Sequence, residues 1–527
     1  MKRGEIAHNV SRGAVYLAIE KGAAVLSTMV YIALLARWLG PTKYGVFSLA
    51  FAIIGLATAL SGNAEVFLER NTAEYQAHGR LRLLARAFRM ALGIKTALGI
   101  VVSVLVLAIA PWLADHYRMP ELRMLLPVLT LFIAADGLAT TGRAVLYGLQ
   151  RFEWMSAVSL VFNVGKTILV ASLWFAQKGL VDLAVGLAAL NLLQAVLVCA
   201  AAAHIVAKAR QAAPVVHDPE EDAPVFQPML RYCLPLLGAR AAFLSGQNLG
   251  KLVLARVLDA TTLGYYSFAF QTVERFVELV HTLPASLLPS LTQLVARREN
   301  DRLRHVFDQA FRLIQLTACV LSFFLFAFAH ELTLWLGSPL FEPAVPMLRV
   351  LALVPIVRTA QQPLTMLFQA CRRPGYVLAL ALAKLGGEVA GYLLLLPLLG
   401  AMGAAMANLI GAVVAYIGAL WLMRRALPEG ASGRLGDVFR ALLLLFPGLV
   451  LALLADRFLS PELAMPFRVA LILPGGVAIF ALALVTRHDL EKLAGLPLPA
   501  AWQRRLRDAI VVRLDHLARV FETRRAA

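Results

Sequence analysis

The stretch LARWLGPTKYGVFSLAF at residues 35–51 returns, altered, as LARVLDATTLGYYSFAF at residues 254–270, about 219 positions further along the chain. Each copy closes one long apolar run and opens the next, so the phrase marks a turn between two helices. Other segments keep the same register. RLRLLARAFR at 80–89 answers RLRHVFDQAFR at 302–312 with one inserted residue, LYGLQRF at 146–152 answers LFQACRR at 367–373, and Asn191-Leu192 answers Asn408-Leu409. Chance likeness between leucine-rich helices does not hold one offset over that length, so the chain carries a duplicated unit.

The composition sets the medium. Hydrophobic residues make up 60% of the chain and charged residues 16%, with a mean hydropathy of +0.73, which is too apolar for a soluble domain. An apolar helix needs roughly 20 residues to cross a hydrocarbon core of about 30 Å. About fourteen segments meet that length: 13–36, 45–67, 90–113, 123–146, 155–176, 181–206, 230–256, 262–290, 311–330, 345–369, 375–397, 400–423, 438–456 and 466–486. The expected fold is an all-α polytopic membrane protein. The first span is read as retained rather than as a cleaved signal peptide, because Glu20 and Lys21 interrupt its apolar run. Cys199, Cys233, Cys319 and Cys371 stand far apart in apolar surroundings, which excludes a zinc or redox motif and leaves them as packing residues.

Basic connections are retained on the cytoplasmic side. With the N-terminus inside, every second connection is basic: Arg70 to Arg89 after the second helix, Arg151 after the fourth, Lys208 and Arg210 after the sixth, Arg297 to Arg304 after the eighth, Arg372 and Arg373 after the tenth, and Arg424, Arg425 and Arg434 after the twelfth. The net charge of +18 is therefore a topology signal. No basic stretch has the interleaved aromatics of a stacking platform, so a nucleic-acid partner is not expected.

An even number of crossings between the copies makes the halves parallel repeats related by an axis along the membrane normal. The expected organisation is an N-lobe over 1–210, a polar, proline-rich cytoplasmic linker over 211–228 and a C-lobe over 229–425, the lobes facing each other across a cavity. Two extra helices over 426–486 and a basic amphipathic cytoplasmic tail over 487–527 follow. In that tail Leu506, Ile510, Leu514, Leu517 and Phe521 recur at helical spacing, as in a helix lying along an anionic leaflet.

Charges at membrane depth are costly and face a bundle interior or a hydrated cavity. Arg240, Gln247 and Lys251 fall on one stripe of the seventh helix, and Arg358, Gln361 and Gln362 on one face of the tenth. Lys384 and Glu388 are spaced to pair, as is Arg275 with Glu274 or Glu278. Arg240, Lys251 and Arg358 have no acid within a turn on their own helix, so they are read as lining a cavity that receives an anionic head group. Pairing with acids on other helices is the alternative. Asp136, Thr140 and Arg143 share a face of the fourth helix, and Tyr16, Glu20, Ser27 and Tyr31 a face of the first. Glu20 and Asp136 are the candidates for an ion-coupling acid.

The phrase LAR-x-LGP-x-x-YG-x-F, the basic connection after the second helix, the LQRF turn and GAMGAAMANLIG at 400–411 together resemble polysaccharide-biosynthesis flippases. These form the O-antigen and exopolysaccharide branch of the multidrug/oligosaccharidyl-lipid/polysaccharide exporter superfamily. The likeness spans residues 10–486; the second copy departs from it, with Asp259-Ala260 in place of Gly40-Pro41. It implies transport of a polyprenyl-diphosphate-linked glycan from the cytoplasmic to the periplasmic or outer leaflet of a bacterial inner membrane by alternating access, with polysaccharide polymerase or export machinery as a possible partner. The residues agree with such a substrate: Arg and Lys suit the diphosphate, and Gln247, Gln361 and Gln362 suit sugars. A lipid-linked peptidoglycan precursor flippase carries a similar substrate, and a drug/cation antiporter would want a cavity dominated by acids. A membrane polymerase or ligase would want a long external loop. No cofactor, metal or nucleophile motif is present and no enzyme chemistry is expected.

The topology predicts that cysteines placed at Ala212 and Ala526, in a cysteine-free background, resist membrane-impermeant thiol reagents in intact cells. Ready labelling from outside would overturn the helix count.

Overall fold

Among the described residues the regular structure of the computed structural model is helical throughout. It covers residues 3–212, 224–280 and 291–426 apart from single positions, with isolated positions between 447 and 458, and for residues 3–23 the helical backbone alone. The expected helices at 438–456 and 466–486 and the tail at 487–527 lie outside the described residues, apart from those isolated positions. In chain order the helices are α1 (Arg3–Leu60), α2 (Ala64–Ala77), α3 (Leu81–His116), α4 (Leu122–Gly148), α5 (Phe152–Phe175), α6 (Leu180–Ala212), α7 (Phe226–Val257) and α8 (Ala260–Val280). Then come α9 (Asn300–Ala327), α10 (Ala329–Leu336), a 3-10 turn (Pro339–Ala344), α11 (Val345–Leu351), α12 (Val354–Ala370), α13 (Pro374–Leu399) and α14 (Ala401–Ala426). Eight described helices are long and apolar enough to cross a membrane, and a ninth span forms if the pair Pro339–Leu351 and Val354–Ala370, bent by 42°, counts as one. The chain is a multi-pass membrane protein.

Several expected boundaries move for local reasons. The first two expected spans form one helix interrupted at Gly40, whose φ of +66° is open to glycine and strained for other residues. Pro41 follows, with its φ preset for a helical first turn. The second span ends at Leu60 rather than at 67, because Gly62 at φ +87° breaks the helix and α2 starts afresh at Ala64. That restart places Glu65 in the first turn of α2. The tenth span is divided between α11 and α12.

The second copy of the phrase makes the same turn by different chemistry. Leu258 is extended at ψ −173°, and the Asp259 carboxylate accepts from the backbone N–H groups of Thr261 and Thr262 at 3.1 and 3.3 Å and from the Thr262 hydroxyl at 2.5 Å. An aspartate cap thus replaces the Gly-Pro pair.

The chain divides into two compact units. One comprises residues 1–282, 331–351 and 378–414, the other residues 283–330, 352–377 and 415–527. In the first unit the two copies of the phrase pack on each other. Thr42 and Thr261, 219 positions apart, share a hydroxyl–hydroxyl hydrogen bond of 2.8 Å. A Cβ on Gly45 would sit 1.9 Å from the Ala260 carbonyl oxygen, and one on Gly264 would sit 2.0 Å from that of Pro41. Small residues four apart on each helix, Pro41 and Gly45 on one and Ala260 and Gly264 on the other, permit this backbone approach. Beside it Tyr44, Phe268 and Phe341 meet edge-on or tilted at centroid distances of 4.7 to 6.3 Å. Arg37 donates to the carbonyls of Gly337 at 2.9 Å and Trp335 at 2.7 Å, closing the C-terminal end of α10.

Two large apolar clusters lie in this unit. One joins α1, α5, the start of α6, α8 and the 3-10 turn through Leu35, Val170, Leu187, Phe268 and Phe341. The other joins α2, the start of α3, the end of α4, α6 and the start of α7 through Leu68, Leu84, Val145, Val206 and Met229. In the second unit α9 packs on α12, where Gln315 donates to the Ile356 carbonyl at 3.2 Å and Cys319 packs against Ile356.

Gly45→Ala and Gly264→Ala each force a methyl into a backbone oxygen, and overpacking of this kind costs about 1–3 kcal/mol. Each variant is expected to lower thermal stability in detergent and abundance in the membrane. Gly93→Ala, with nothing within 4 Å of its added Cβ, is expected to match wild type. Equal stability of all three variants would remove the crossing from its structural role.

Candidate functional site

Four charged side chains from four helices meet inside the first unit. Lys95 of α3 is fully buried, and its ammonium donates to Glu65 Oε2 at 2.8 Å and Thr140 Oγ1 at 2.8 Å, with Asp136 Oδ2 at 3.5 Å. Three donors find three oxygens. Arg240 of α7 donates through Nη1 to Glu65 Oε1, and its Nη2 lies 3.8 Å from Asp136 Oδ2. Each cation touches both carboxylates, which makes a square of two positive and two negative groups with no net charge. Neutrality is what membrane depth demands, since a lone buried charge costs several kcal/mol while a paired and hydrogen-bonded one is tolerated.

The square is open on one side. The Lys95 side chain is 0% exposed and that of Glu65 9%, whereas Arg240 and Asp136 are 25% and 26% exposed. The Arg240–Asp136 contact is the longest ion pair of the four and exceeds hydrogen-bond length. The accessible corners are therefore also the loosely joined ones.

Local sequence explains each placement. Glu65 lies in the first turn of α2, where helix dipole and free N–H groups favour a carboxylate. Asp136 and Thr140 are one turn apart on α4, and the Thr140 hydroxyl also donates to the Asp136 carbonyl at 2.6 Å. Sequence reasoning singled out Arg240 and Asp136 but missed Glu65 and Lys95. The available signal was Lys95 itself, a lysine inside the apolar run MALGIKTALGIVV.

A second group of charges lies on α5, α7, α8 and α4. Lys251 stands over the Phe270 ring at 5.5 Å from its centroid and within electrostatic reach of Glu274 and Arg275. Arg275 pairs with Glu278 at 2.9 Å. Lys166 of α5 feels the positive charges of Arg143 and Arg275. Among the described residues Arg143, Lys166 and Lys251 have no ion-pair partner. Lys166 is a further residue that sequence reasoning passed over.

A third polar group is closed. Lys384 and Glu388 pair at 2.7 Å, as their spacing predicts, and Asn408 donates to the same Glu388 oxygen at 3.2 Å. Gly246 and Gly250 of α7 lie against this group: a Cβ on Gly246 would stand 3.2 Å from Glu388 Oε2, and one on Gly250 2.6 Å from the Tyr392 hydroxyl and 2.7 Å from that of Tyr266.

Of the expected cavity residues, Arg240, Gln247 and Lys251 lie on α7 in the first unit, each half-buried. Arg358, Gln361 and Gln362 lie on α12 in the second unit and are half-buried there. Glu20 falls in the part of α1 whose side chains are outside the described residues.

This helical architecture is similar to that of solved transporters. An inward-facing multidrug resistance MATE family transporter of the MOP superfamily aligns over 79% of this chain and 98% of its own, with a TM-score of 0.61 at 15% identity. The lipid II flippase MurJ in an inward closed conformation aligns over 89% of this chain and 98% of its own, with a TM-score of 0.64 at 12% identity. A MOP superfamily transporter from Pyrococcus furiosus, described as having a binding pocket of reversed polarity, aligns over 79% and 95%, with a TM-score of 0.57 at 16% identity. No curated protein sequence matches the chain. The model of the family described as polysaccharide biosynthesis protein matches residues 34–346. That match covers more than half of the chain, including both copies of the repeated phrase, and the chain belongs to the polysaccharide biosynthesis protein family.

Proposed function

We propose that this protein is a flippase for a polyprenyl-diphosphate-linked oligosaccharide, carrying it from the cytoplasmic to the outer leaflet of a bacterial inner membrane with both of its own termini in the cytoplasm. The observation that carries the reading is a surplus of positive charge at membrane depth in a polysaccharide-biosynthesis protein. Arg143 and Lys166 lie on helices long and apolar enough to cross a membrane and Lys251 lies on α7; none has an ion-pair partner among the described residues, Lys166 feels the charges of Arg143 and Arg275, and Lys251 those of Glu274 and Arg275. Helical membrane proteins do not keep such cations at depth without a partner, and an anionic head group supplies one. A diphosphate takes bidentate contacts from arginine and point-charge contacts from lysine.

In this reading Arg240 and Lys251, together with Arg143, Lys166 and Arg275, receive the diphosphate in the first unit, and Arg358 is the candidate cation of the second. Gln247 in the first unit, and Gln361 and Gln362 in the second, are the amides suited to sugars. The two repeat lobes, 1–210 and 229–425, move against each other about the site to give alternating access. Asp136 and Glu20 are the acids available for ion coupling. A cation antiporter fits the same fold less well, because a cationic substrate would meet like charges.

Deletion of the gene is expected to leave polyprenyl-diphosphate oligosaccharide on the cytoplasmic leaflet, read by mass spectrometry of leaflet-resolved lipids. Restoring the gene with Lys166→Ala or Lys251→Ala is expected to give normal protein abundance but impaired export. Each lost contact to a charged group is worth about 1.5–3 kcal/mol, roughly ten- to a hundredfold in affinity. Wild-type export by a stable Lys166→Ala, Lys251→Ala double variant would sink the assignment.

A further inference from the structure

The charge square has an arrangement that neutrality alone does not require. Two of its corners, Lys95 and Glu65, are closed in, and they already satisfy each other at 2.8 Å with Thr140 completing the ammonium. Arg240 draws on this closed pair through Glu65 and still meets a second carboxylate, Asp136, at the exposed side. An anion that approaches Arg240 from the open side comes up against Asp136, 3.8 Å from the same guanidinium nitrogen that it would use. We infer that Asp136 is a specificity-determining residue: a tethered carboxylate that occupies the free edge of Arg240 against singly charged phosphodiester lipids and yields to a diphosphate. The inference rests on the flippase reading above.

Competition among anions sets the need for such a residue. A membrane transporter with an accessible arginine at depth stands among anionic phospholipids, which vastly outnumber a lipid-linked intermediate. Each carries one phosphodiester charge, the same as a carboxylate. The carboxylate of Asp136 is held next to Arg240 by the fold, so its effective concentration there is high and a freely diffusing monoanion gains little by replacing it. A diphosphate brings more than one charge and more than one pair of oxygens, so it can displace Asp136 from the free edge where a monoanion cannot. Rejection through an occupied site is discrimination by a built-in competitor rather than by added affinity. Lys95 belongs to this device as a positioning residue. Its contacts with Glu65, Thr140 and Asp136 hold both carboxylates at the fork while keeping them from leaving a buried negative charge.

Asp136→Asn keeps the side chain's size and leaves Lys95 its two contacts at 2.8 Å, so the closed half of the square persists. The test measures binding of a polyprenyl diphosphate to the purified full-length protein in nanodiscs of phosphatidylcholine, with and without phosphatidylglycerol. The wild type is expected to bind with an affinity that phosphatidylglycerol scarcely changes. Asp136→Asn is expected to bind in phosphatidylcholine but to weaken on the order of tenfold when phosphatidylglycerol is added, the scale of one contact to a charged group. Asp136→Glu, which retains the carboxylate, is expected to behave as wild type. A residue that merely supported the fold would not make binding sensitive to an anionic lipid. If the wild type binds the diphosphate and Asp136→Asn ignores phosphatidylglycerol as well, or if Asp136→Glu is as sensitive as Asp136→Asn, the inference is overturned while the flippase reading stands. If the wild type binds no polyprenyl diphosphate in either nanodisc, that reading falls and the inference falls with it.

Discussion

The close crossing of α1 and α8 is the constraint on which the first unit depends. At Gly45 and Gly264 the backbones approach so nearly that a single methyl would occupy the position of a carbonyl oxygen. In lipid there is no hydrophobic drive between helices, so association rests on packing contacts and on small residues that admit them. Everything around the crossing follows from that approach. The Thr42–Thr261 hydrogen bond, the aromatic wedge of Tyr44, Phe268 and Phe341, and the clasp of Arg37 on the end of α10 all lie within its reach. The contacts are also symmetric in the repeat: Thr42 meets Thr261, and the Gly45 to Ala260 approach mirrors the Gly264 to Pro41 approach. A duplicated unit that meets its own copy at equivalent residues explains why the phrase is spelled twice.

The charged residues obey a second constraint, imposed by the medium. Breaking a buried pair by removal of one partner costs about 3–5 kcal/mol, so a charge that persists at depth has either partners or a use. Lys95 has three oxygens and Glu388 has Lys384 and Asn408; these are closed arrangements. Arg240 is intermediate, paired but reachable. Arg143, Lys166 and Lys251 stand at the other extreme among the described residues. The gradation runs from charges whose partners join helices to charges with no ion-pair partner among the described residues.

What was legible in the sequence divides along the same line. Membrane class, helical fold and most helix boundaries came from composition and from apolar length, properties of single segments. Lys384 with Glu388 and Arg275 with Glu278 were legible because a helix brings residues three and four apart to one face. Glu65 with Lys95, separated by 30 positions, was not, since nothing along either helix says which neighbour it will meet. Gly62 ended the second span early because a single left-handed residue outweighs an apolar run that otherwise continues to Phe67. The turn at Asp259 is instructive in the opposite sense. It looked like a departure from the phrase, yet an aspartate cap performs the task of Gly40-Pro41, so the helix break survives a complete change of residues.

Individual cations differ in standing once the helices are assembled. On its own helix Arg240 has no acid within a turn, and from the sequence it stands level with Lys251. In three dimensions it shares two carboxylates with Lys95, and its charge is already balanced before any ligand arrives. Lys166, by contrast, drew no attention as one lysine in an ordinary apolar helix, yet it lies near Arg143 and Arg275 with no partner among the described residues. An anion entering this unit therefore meets two kinds of positive group. In the proposed reading Lys166, beside the like charges of Arg143 and Arg275, attracts it at range, while Arg240 contributes only at contact and only to an anion able to displace a carboxylate. In that reading attraction and discrimination then reside in different residues, and a change to one need not alter the other.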